Sequence, residues 1–120
     1  MKSTKGSVNR MDRLNAEFQK EIYAVIRDRL KNPDITAMVS VLKADVSKDL
    51  KHAKVFLSVY STDEEKAEKT FNAIVSESKR VRHELALSMR LRTVPEIHFI
   101  LDKSMAYSDK INKLLNGLDK

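Results

Sequence analysis

The spacing of apolar residues changes from helical to alternating within the first half of the chain. Up to Asn32, apolar positions recur every three or four residues, which predicts one amphipathic helix of about five turns. Asn9 is predicted as its N-cap residue. The segment Asn32-Pro33-Asp34 is predicted to end it, because the residue before a proline avoids helical geometry. The predicted buried stripe consists of Met11, Leu14, Phe18, Ile22, Val25, Ile26 and Leu30.

Three later segments have the pattern of strands. Ile35 to Val46 is rich in β-branched residues but alternates imperfectly, whereas Lys54 to Tyr60 alternates cleanly. The polar link Ser47 to Lys51 between them predicts an antiparallel hairpin. After Pro95, Glu96 to Asp102 alternates again. The positions predicted to face the core are Val39, Val41, Val55, Leu57, Val59, Ile97, Phe99 and Leu101.

A long helical pattern separates the second and third predicted strands. Thr62 with Glu65 matches a capping box, so the helix is predicted to begin there. The pattern continues to Leu91, but its character changes at Ser76-Glu77-Ser78, which predicts a break or kink between two helices. The buried positions predicted for the first of these helices are Ala67, Phe71, Ile74, Val75 and Ser78.

The predicted elements form one α+β domain in the order αββααβ. A three-stranded sheet with helices packed on one face buries all the apolar stripes. A short terminal helix is predicted from about Ser108 to Asn116, with Gly117 following it as the C′ residue. Residues 1–8 are predicted to be a flexible basic arm, and residues 9–118 the single domain.

Charge is segregated along the helical segment. The chain of 120 residues carries a net charge of +6, and residues 79–92 alone carry +4, whereas residues 63–77 carry −3. On a helical projection, Lys79, Arg82, His83 and Arg90 share one stripe, with Val81, Leu85 and Ser88 roughly opposite. Two interpretations stay open: an ordinary solvated helix face, or a nucleic-acid surface whose arginine forks match phosphates. The candidate RNA-binding residues are Lys79, Arg80, Arg82, Arg90 and Arg92.

The sequence lacks the residue types and motifs on which most enzyme active sites and cofactor sites depend. There is no cysteine, and two glycines cannot form a glycine-rich phosphate loop. His52, His83 and His98 belong to different elements without a metal-binding spacing, so no metal site is predicted. Glu96, His98 and Asp102 are predicted to lie on an exposed strand face. We therefore expect a non-enzymatic, monomeric protein of the cytoplasm that needs no cofactor and has no membrane partner.

The chain as a whole resembles the ribosome-binding factor A family of bacterial small-subunit maturation proteins. The resemblance spans about residues 10–115 and depends on the order of several short matches rather than on one motif. It includes Lys31-Asn32-Pro33, Val46-Ser47-Lys48-Asp49-Leu50, Ala53-Lys54-Val55, Met89-Arg90-Leu91-Arg92, Val94-Pro95-Glu96-Ile97, and the tail from Ser104 to Leu115 with Tyr107 and Ile111.

The resemblance implies a type II KH domain in which a kinked helix pair replaces the usual GxxG loop. The kink positions here are Glu77, Ser78 and Lys79, without the small residues usual in the family. Ser78 is the predicted bending residue, since serine can bond back to its own helix.

The implied function is binding to the free 30S subunit and its 16S rRNA. It includes support for late maturation and 5′-end processing of that RNA, and a link to growth in the cold. Two alternatives remain open from the residues. In the first, which concerns the function, the protein is an adaptor that binds another protein through its sheet face and terminal helix. In the second, which concerns one candidate residue, Arg92 anchors a loop by hydrogen bonding to carbonyls and does not contact RNA.

Overall fold

The computed structural model describes residues 10–103, which fold into three helices and one three-stranded sheet. The elements are α1 (Arg10–Asp28), β1 (Met38–Val46), β2 (His52–Tyr60), α2 (Glu64–Ser76), α3 (Ser78–Met89) and β3 (Glu96–Leu101). This order confirms the predicted αββααβ arrangement and its type II KH-like architecture. The predicted N-cap Asn9, the basic arm and the terminal helix lie outside the described residues.

The sheet is mixed, with β2 in the centre. β1 pairs with β2 in antiparallel fashion, as the hairpin prediction requires, and β3 pairs with the other edge of β2 in parallel. In the β1–β2 turn, Leu50 takes the left-handed conformation with φ of 61°, and its N–H donates to the Ser47 carbonyl at 2.9 Å. The Ser47 hydroxyl also donates to the Asp49 carboxylate at 2.6 Å, which closes the turn.

The helices cover one face of the sheet and bury its inward-facing side chains. α1 packs against β1 and α3, while α2 contacts β2 and α3 contacts β3. Phe18 and Ile22 of α1 meet Leu57 of β2 in the interior, together with Ile74 of α2 and Leu85 of α3. Each is large and fully apolar, so burying it contributes about 1.5–3 kcal/mol relative to exposure.

A β-bulge explains the imperfect alternation of β1. The register shifts between Val41 and Lys43, so that Leu42 is the extra residue of β1. Val41, Ala44 and Val46 consequently all point into the core. The Gln19 side chain of α1 holds the bulge by donating to the carbonyls of Val41 at 2.9 Å and Leu42 at 3.3 Å.

The loop between α1 and β1 is tied to α2 by a buried hydroxyl. Thr70 is the only fully buried polar side chain within residues 10–103. Its Oγ1 accepts from the backbone N–H groups of Thr36 at 3.2 Å and Ala37 at 3.1 Å, and donates to the Asp34 carbonyl at 3.2 Å. Because these amides bond to Thr70, β1 begins at Met38 and not at the predicted Ile35.

The end of α1 differs from its prediction. The helix stops at Asp28, a turn before the predicted Asn32-Pro33-Asp34 boundary, because the N–H groups of Arg29 and Leu30 both turn back to the Val25 carbonyl. The proline therefore follows a helix that has already ended.

The start of α2 was predicted one residue too early. Asp63, not Thr62, is the N-cap residue, and its carboxylate accepts from the Glu65 N–H at 3.0 Å. Ala67 and Phe71 pack against the core and Ile74 is fully buried, as predicted. The prediction that Val75 faces the core was wrong, because its side chain is exposed and Ala73 takes the inward position.

Candidate nucleic-acid interface

The junction between α2 and α3 is the first structural feature of the candidate interface. The two helices are separated by Glu77, whose backbone has φ of −96° and ψ of 16°. Its N–H donates to the carbonyls of Ala73 and Ile74, and its carbonyl accepts from Val81, so one residue ends α2 and begins α3. The break falls at one of the three residues where the sequence predicts the kink.

Serine hydroxyls bond to α2 carbonyls on both sides of the break. Ser76 donates to the Ala73 carbonyl at 2.7 Å, and Ser78 donates to the Val75 carbonyl at 2.7 Å. Back-bonding of this kind tends to bend helices. The break therefore forms here without the small residues usual in the family, with two hydroxyls added to the α2 carbonyls that the Glu77 N–H also approaches.

The Glu77 side chain connects the break to the loop after α1. Its carboxylate accepts from the Asn32 amide at 3.1 Å. The Asn32 oxygen in turn accepts from the Asp34 N–H at 2.9 Å, which fixes the turn that contains Pro33. The loop after α1 and the helix junction therefore lie side by side.

α3 buries only a narrow seam. Val81 and Leu85 have no exposed surface, and Met89 one turn later packs partly against the core. Ser88 was predicted on this buried side, but it is exposed, because the seam follows steps of four residues and passes through Met89. The remaining surface of α3 is open to solvent, including Lys79, His83 and Leu87, whose side chain is 63% exposed.

Arg82 differs from the other candidate cations because its guanidinium turns inward. It is half-buried, and one terminal nitrogen donates to the Val94 carbonyl at 3.0 Å, while its Nε is buried without a partner among residues 10–103. This bond joins α3 to the segment that leads into β3. The loop-anchoring role considered for Arg92 is therefore performed by Arg82.

Arg80 is exposed but partly paired. Its Nε lies 3.5 Å from the Glu84 carboxylate, and Arg29 at the end of α1 reaches the other oxygen of Glu84 at 3.9 Å. Such pairs near the surface contribute at most about 1 kcal/mol. One carboxylate against two arginines leaves the local charge positive, and it shows that Arg29 belongs to the same surface as α3.

Arg90 and Arg92 follow the end of α3. Arg90 is the C-cap residue in the left-handed conformation, with φ of 54° and ψ of 43°, and its N–H donates to the Ala86 carbonyl. The helical projection therefore does not extend to Arg90. Both side chains are exposed and make no ion pair or side-chain hydrogen bond to any other described residue. We call the exposed cations of this surface the basic face, and its residues are Arg29, Lys79, Arg80, Arg90 and Arg92.

The sequence pattern could not assign Arg29 to this surface. The helix before it mixes both charge signs, and nothing in the linear sequence indicates that the residue after this helix lies beside Glu84. Only the packing of α1 against α3 brings them together.

Among residues 10–103, no helix combines the length and apolar character needed to cross a membrane.

Comparison with known proteins gives one consistent result. The family model described as "Ribosome-binding factor A" matches residues 10–115. The ribosome-binding factor A of Caldanaerobacter subterraneus subsp. tengcongensis is 43% identical over 111 residues, which cover 92% of this chain and 90% of that protein. The protein of that name from Clostridium novyi is 42% identical over 109 residues, covering 91% and 89%.

Solved structures show the same fold. A solution structure of a Thermotoga maritima protein described as a ribosome-binding factor A is 30% identical, with a TM-score of 0.62 and coverage of 81% of this chain and 91% of that one. The crystal structure of ribosome-binding factor A from Thermus thermophilus has a TM-score of 0.66 at 21% identity, covering 78% and 97%. A homology model of the Thermus thermophilus protein, fitted into the cryo-electron microscopy map of its 30S complex, has a TM-score of 0.61 at 20% identity, covering 74% and 91%.

Proposed function

Because the chain belongs to the ribosome-binding factor A family, we propose that it binds the free small ribosomal subunit and assists late maturation of its 16S rRNA, including processing of the 5′ end. The family match covers residues 10–115, so it includes every element of the described fold. The Thermus thermophilus homologue has been fitted into a map of a 30S complex. That precedent supports the small subunit as the partner of this chain.

The observation that carries the proposal is the basic face, whose exposed cations lie at both ends of α3. Its cations come from the residue after α1, the first turn of α3 and the segment after α3, and the ion pairs among the described residues join them only to Glu84. Exposed arginine and lysine side chains bind phosphates without reading sequence, which positions a protein on folded RNA. The first turn of α3 also lacks a side-chain cap, so its backbone N–H groups favour a negative partner.

Two of the five residues proposed from the sequence act differently from the others. Arg82 is a positioning residue, because its bond to the Val94 carbonyl holds the loop that carries Arg90 and Arg92. The Arg80 guanidinium already pairs with the Glu84 carboxylate, so Glu84 competes with phosphate for binding to Arg80. Lys79, Arg90 and Arg92 are then the free contacts.

The charge arrangement sets the expected salt dependence. With about four phosphate contacts, the logarithm of the affinity falls with the logarithm of salt concentration at a slope of roughly −3 to −3.5. This range is shallower than for five contacts because Arg29 and Arg80 share the Glu84 carboxylate, so the two together count as about one.

Charge reversal tests the proposal. Arg90→Glu with Arg92→Glu leaves the Arg82 anchor in place and should weaken binding to purified small subunits by at least about tenfold at moderate salt. The matched control is Lys43→Glu with Lys54→Glu, an equal charge change at exposed positions on the open face of the sheet. Binding lost equally in both variants would contradict the basic-face assignment. Loss in the control alone would favour the alternative, a protein adaptor that uses the sheet face.

The remaining parts of the proposed function concern how the protein works. It acts as a monomer in the cytoplasm, without a cofactor, and supports maturation by binding rather than by catalysis. Support for growth at low temperature follows from the same role, since misfolded RNA rearranges more slowly in the cold. Cleavage of precursor 16S rRNA by the purified protein would contradict the non-enzymatic assignment.

A further inference from the structure

Two histidines and a glutamate meet on the open face of the sheet, far along the chain from one another. His52 is the first residue of β2, and its register partner on β3 is Glu96. His98 lies two residues further along β3 and therefore points to the same side. His52 Nδ1 lies 3.0 Å from His98 Nε2, and the two rings are tilted by 30° with centroids 5.2 Å apart.

The spacing of these groups fits a tetrahedral metal ion. One ligand atom from each of His52, Glu96 and His98 lies within 4.8 Å of the other two. Two nitrogens bound to zinc at about 2.05 Å, at a tetrahedral angle, are about 3.3 Å apart. The observed imidazole nitrogens are close to that separation already, and both side chains are exposed, so their rings are free to rotate until both lone pairs point at one ion.

The ligand types favour one class of ion. Imidazole nitrogen suits zinc, copper and nickel, whereas magnesium and calcium prefer a full set of oxygen ligands. Two imidazoles with one carboxylate is a common zinc set, with water in the fourth position. All three side chains are exposed, so solvent reaches that position.

The backbone holds the ligands on both strands. The Glu96 N–H donates to the Lys51 carbonyl at 2.8 Å, and the His52 carbonyl accepts from the Ser47 N–H at 2.8 Å. The His52 N–H also donates to the Ser47 hydroxyl at 3.1 Å. These bonds fix the Cα positions of the ligands before a metal binds, so only the side-chain rotamers remain to be set.

The surrounding charges permit a dication. Asp45 and Lys54 line the same cavity of about 450 Å³ beside the histidines, and they are register partners whose charges offset each other. Asp49 in the adjacent turn adds a further negative charge. The Glu96 carboxylate then remains as the main charge facing the ion.

We propose that His52, Glu96 and His98 form a binding site for a zinc-class transition-metal dication that bridges β2 and β3. The two facing ring nitrogens bind the metal through their lone pairs, the proton shared between them moves to the outer nitrogen of its ring, and water completes the coordination. This site lies on the open face of the sheet, away from the helices, and does not depend on the RNA-binding role.

The test uses the full chain without a polyhistidine tag, stripped of metal with a chelator. Zinc is then titrated while imidazole resonances are followed by NMR and the stoichiometry by calorimetry. We expect one zinc per chain, with shifts at His52 and His98 but not at His83 on α3. Magnesium should produce no shifts at either ring.

Variants give a second, independent readout. Loss of partners that only orient zinc ligands costs 10–100-fold in affinity, so His98→Gln should weaken zinc binding by at least about tenfold. The matched control His83→Gln removes an exposed histidine from α3 and should leave the affinity unchanged. Absence of zinc binding, shifts spread equally over the three histidines, or equal loss in both variants would overturn the proposal. If His98→Gln fails to fold, the shift pattern of the unmodified chain decides alone.

Discussion

Replacing Arg90 with glycine should raise stability and lower RNA binding at the same time. Arg90 ends α3 in the left-handed conformation, where a residue with a Cβ atom costs about 1–2 kcal/mol. Glycine removes that cost, but it also lowers the free energy of unfolding by about 0.5–1 kcal/mol because the unfolded chain gains conformational freedom. The Arg90 side chain is exposed and has no ion pair or hydrogen bond to lose within residues 10–103. The net gain should be about 0.5–1 kcal/mol, or a rise in Tm of about 2–4 °C.

The same substitution should weaken binding to small subunits. It removes one phosphate contact, so the slope of log affinity against log salt should become shallower by about 0.7–0.9. Thermal and denaturant unfolding measure the stability change, and titration of subunits at several salt concentrations measures the slope.

Leu50 provides a matched control for this prediction. It is the other non-glycine residue with positive φ among those described, at 61° in the β1–β2 turn, and it does not belong to the basic face. Leu50→Gly should stabilise the fold by a similar amount while binding stays unchanged. If Arg90→Gly destabilises the protein, or if its salt slope equals that of the unmodified chain, the reasoning about Arg90 is refuted.

Three further substitutions test the internal contacts. Thr70→Val should destabilise the fold by about 1–3 kcal/mol in denaturant unfolding, because the Thr36 and Ala37 amides lose their buried acceptor; an unchanged midpoint would contradict this. Arg82→Met should lower both stability and subunit affinity, because the loop loses its anchor at the Val94 carbonyl; higher affinity in Arg82→Gln than in Arg82→Met would support anchoring over phosphate contact, because glutamine keeps an N–H donor but carries no charge. The Ser47 hydroxyl and the Lys51 N–H lower the pKa of the Asp49 carboxyl, so its stabilising effect is present above the ordinary carboxyl pKa and is lost as pH falls through the lowered value. Asp49→Asn should therefore flatten the stability profile in acid, and an unchanged profile would refute that.

Elements with regular apolar spacing could be predicted from the sequence, because burial of one face dictates the periodicity. The stripe through Phe18 and Ile22 and the alternation of β2 are such cases, and the structure buries those positions. Boundaries were less predictable because individual hydrogen bonds decide them. Thr62 and Asp63 are both good N-cap residues, and only the geometry of the Glu65 amide selects Asp63.

The basic segment was predictable as a charge pattern, but the role of each arginine was not. Helical projection treats Arg82 and Arg90 as equivalent, yet one faces the Val94 carbonyl and the other caps the helix in a left-handed conformation. These differences arise from the path of the chain after α3, which has no sequence period.

Contacts between segments that are distant in the sequence were the least predictable. No spacing rule in the sequence relates His52 to His98. They lie side by side only because β2 and β3 pair in parallel. The same holds for Arg29, which joins the basic face only through the packing of α1 against α3. Sequence reasoning therefore predicted which elements form, and the sheet topology determined which side chains meet.

Co-sedimentation with ribosomal particles tests the central claim most directly. The purified full chain is mixed with free small subunits or with assembled ribosomes, and both are centrifuged over a range of salt concentrations. We expect the protein to pellet with free small subunits, to do so much less with assembled ribosomes, and to be released by salt with a slope of roughly −3 to −3.5. Equal binding to both particles, or binding to small subunits that does not respond to salt, would contradict the account.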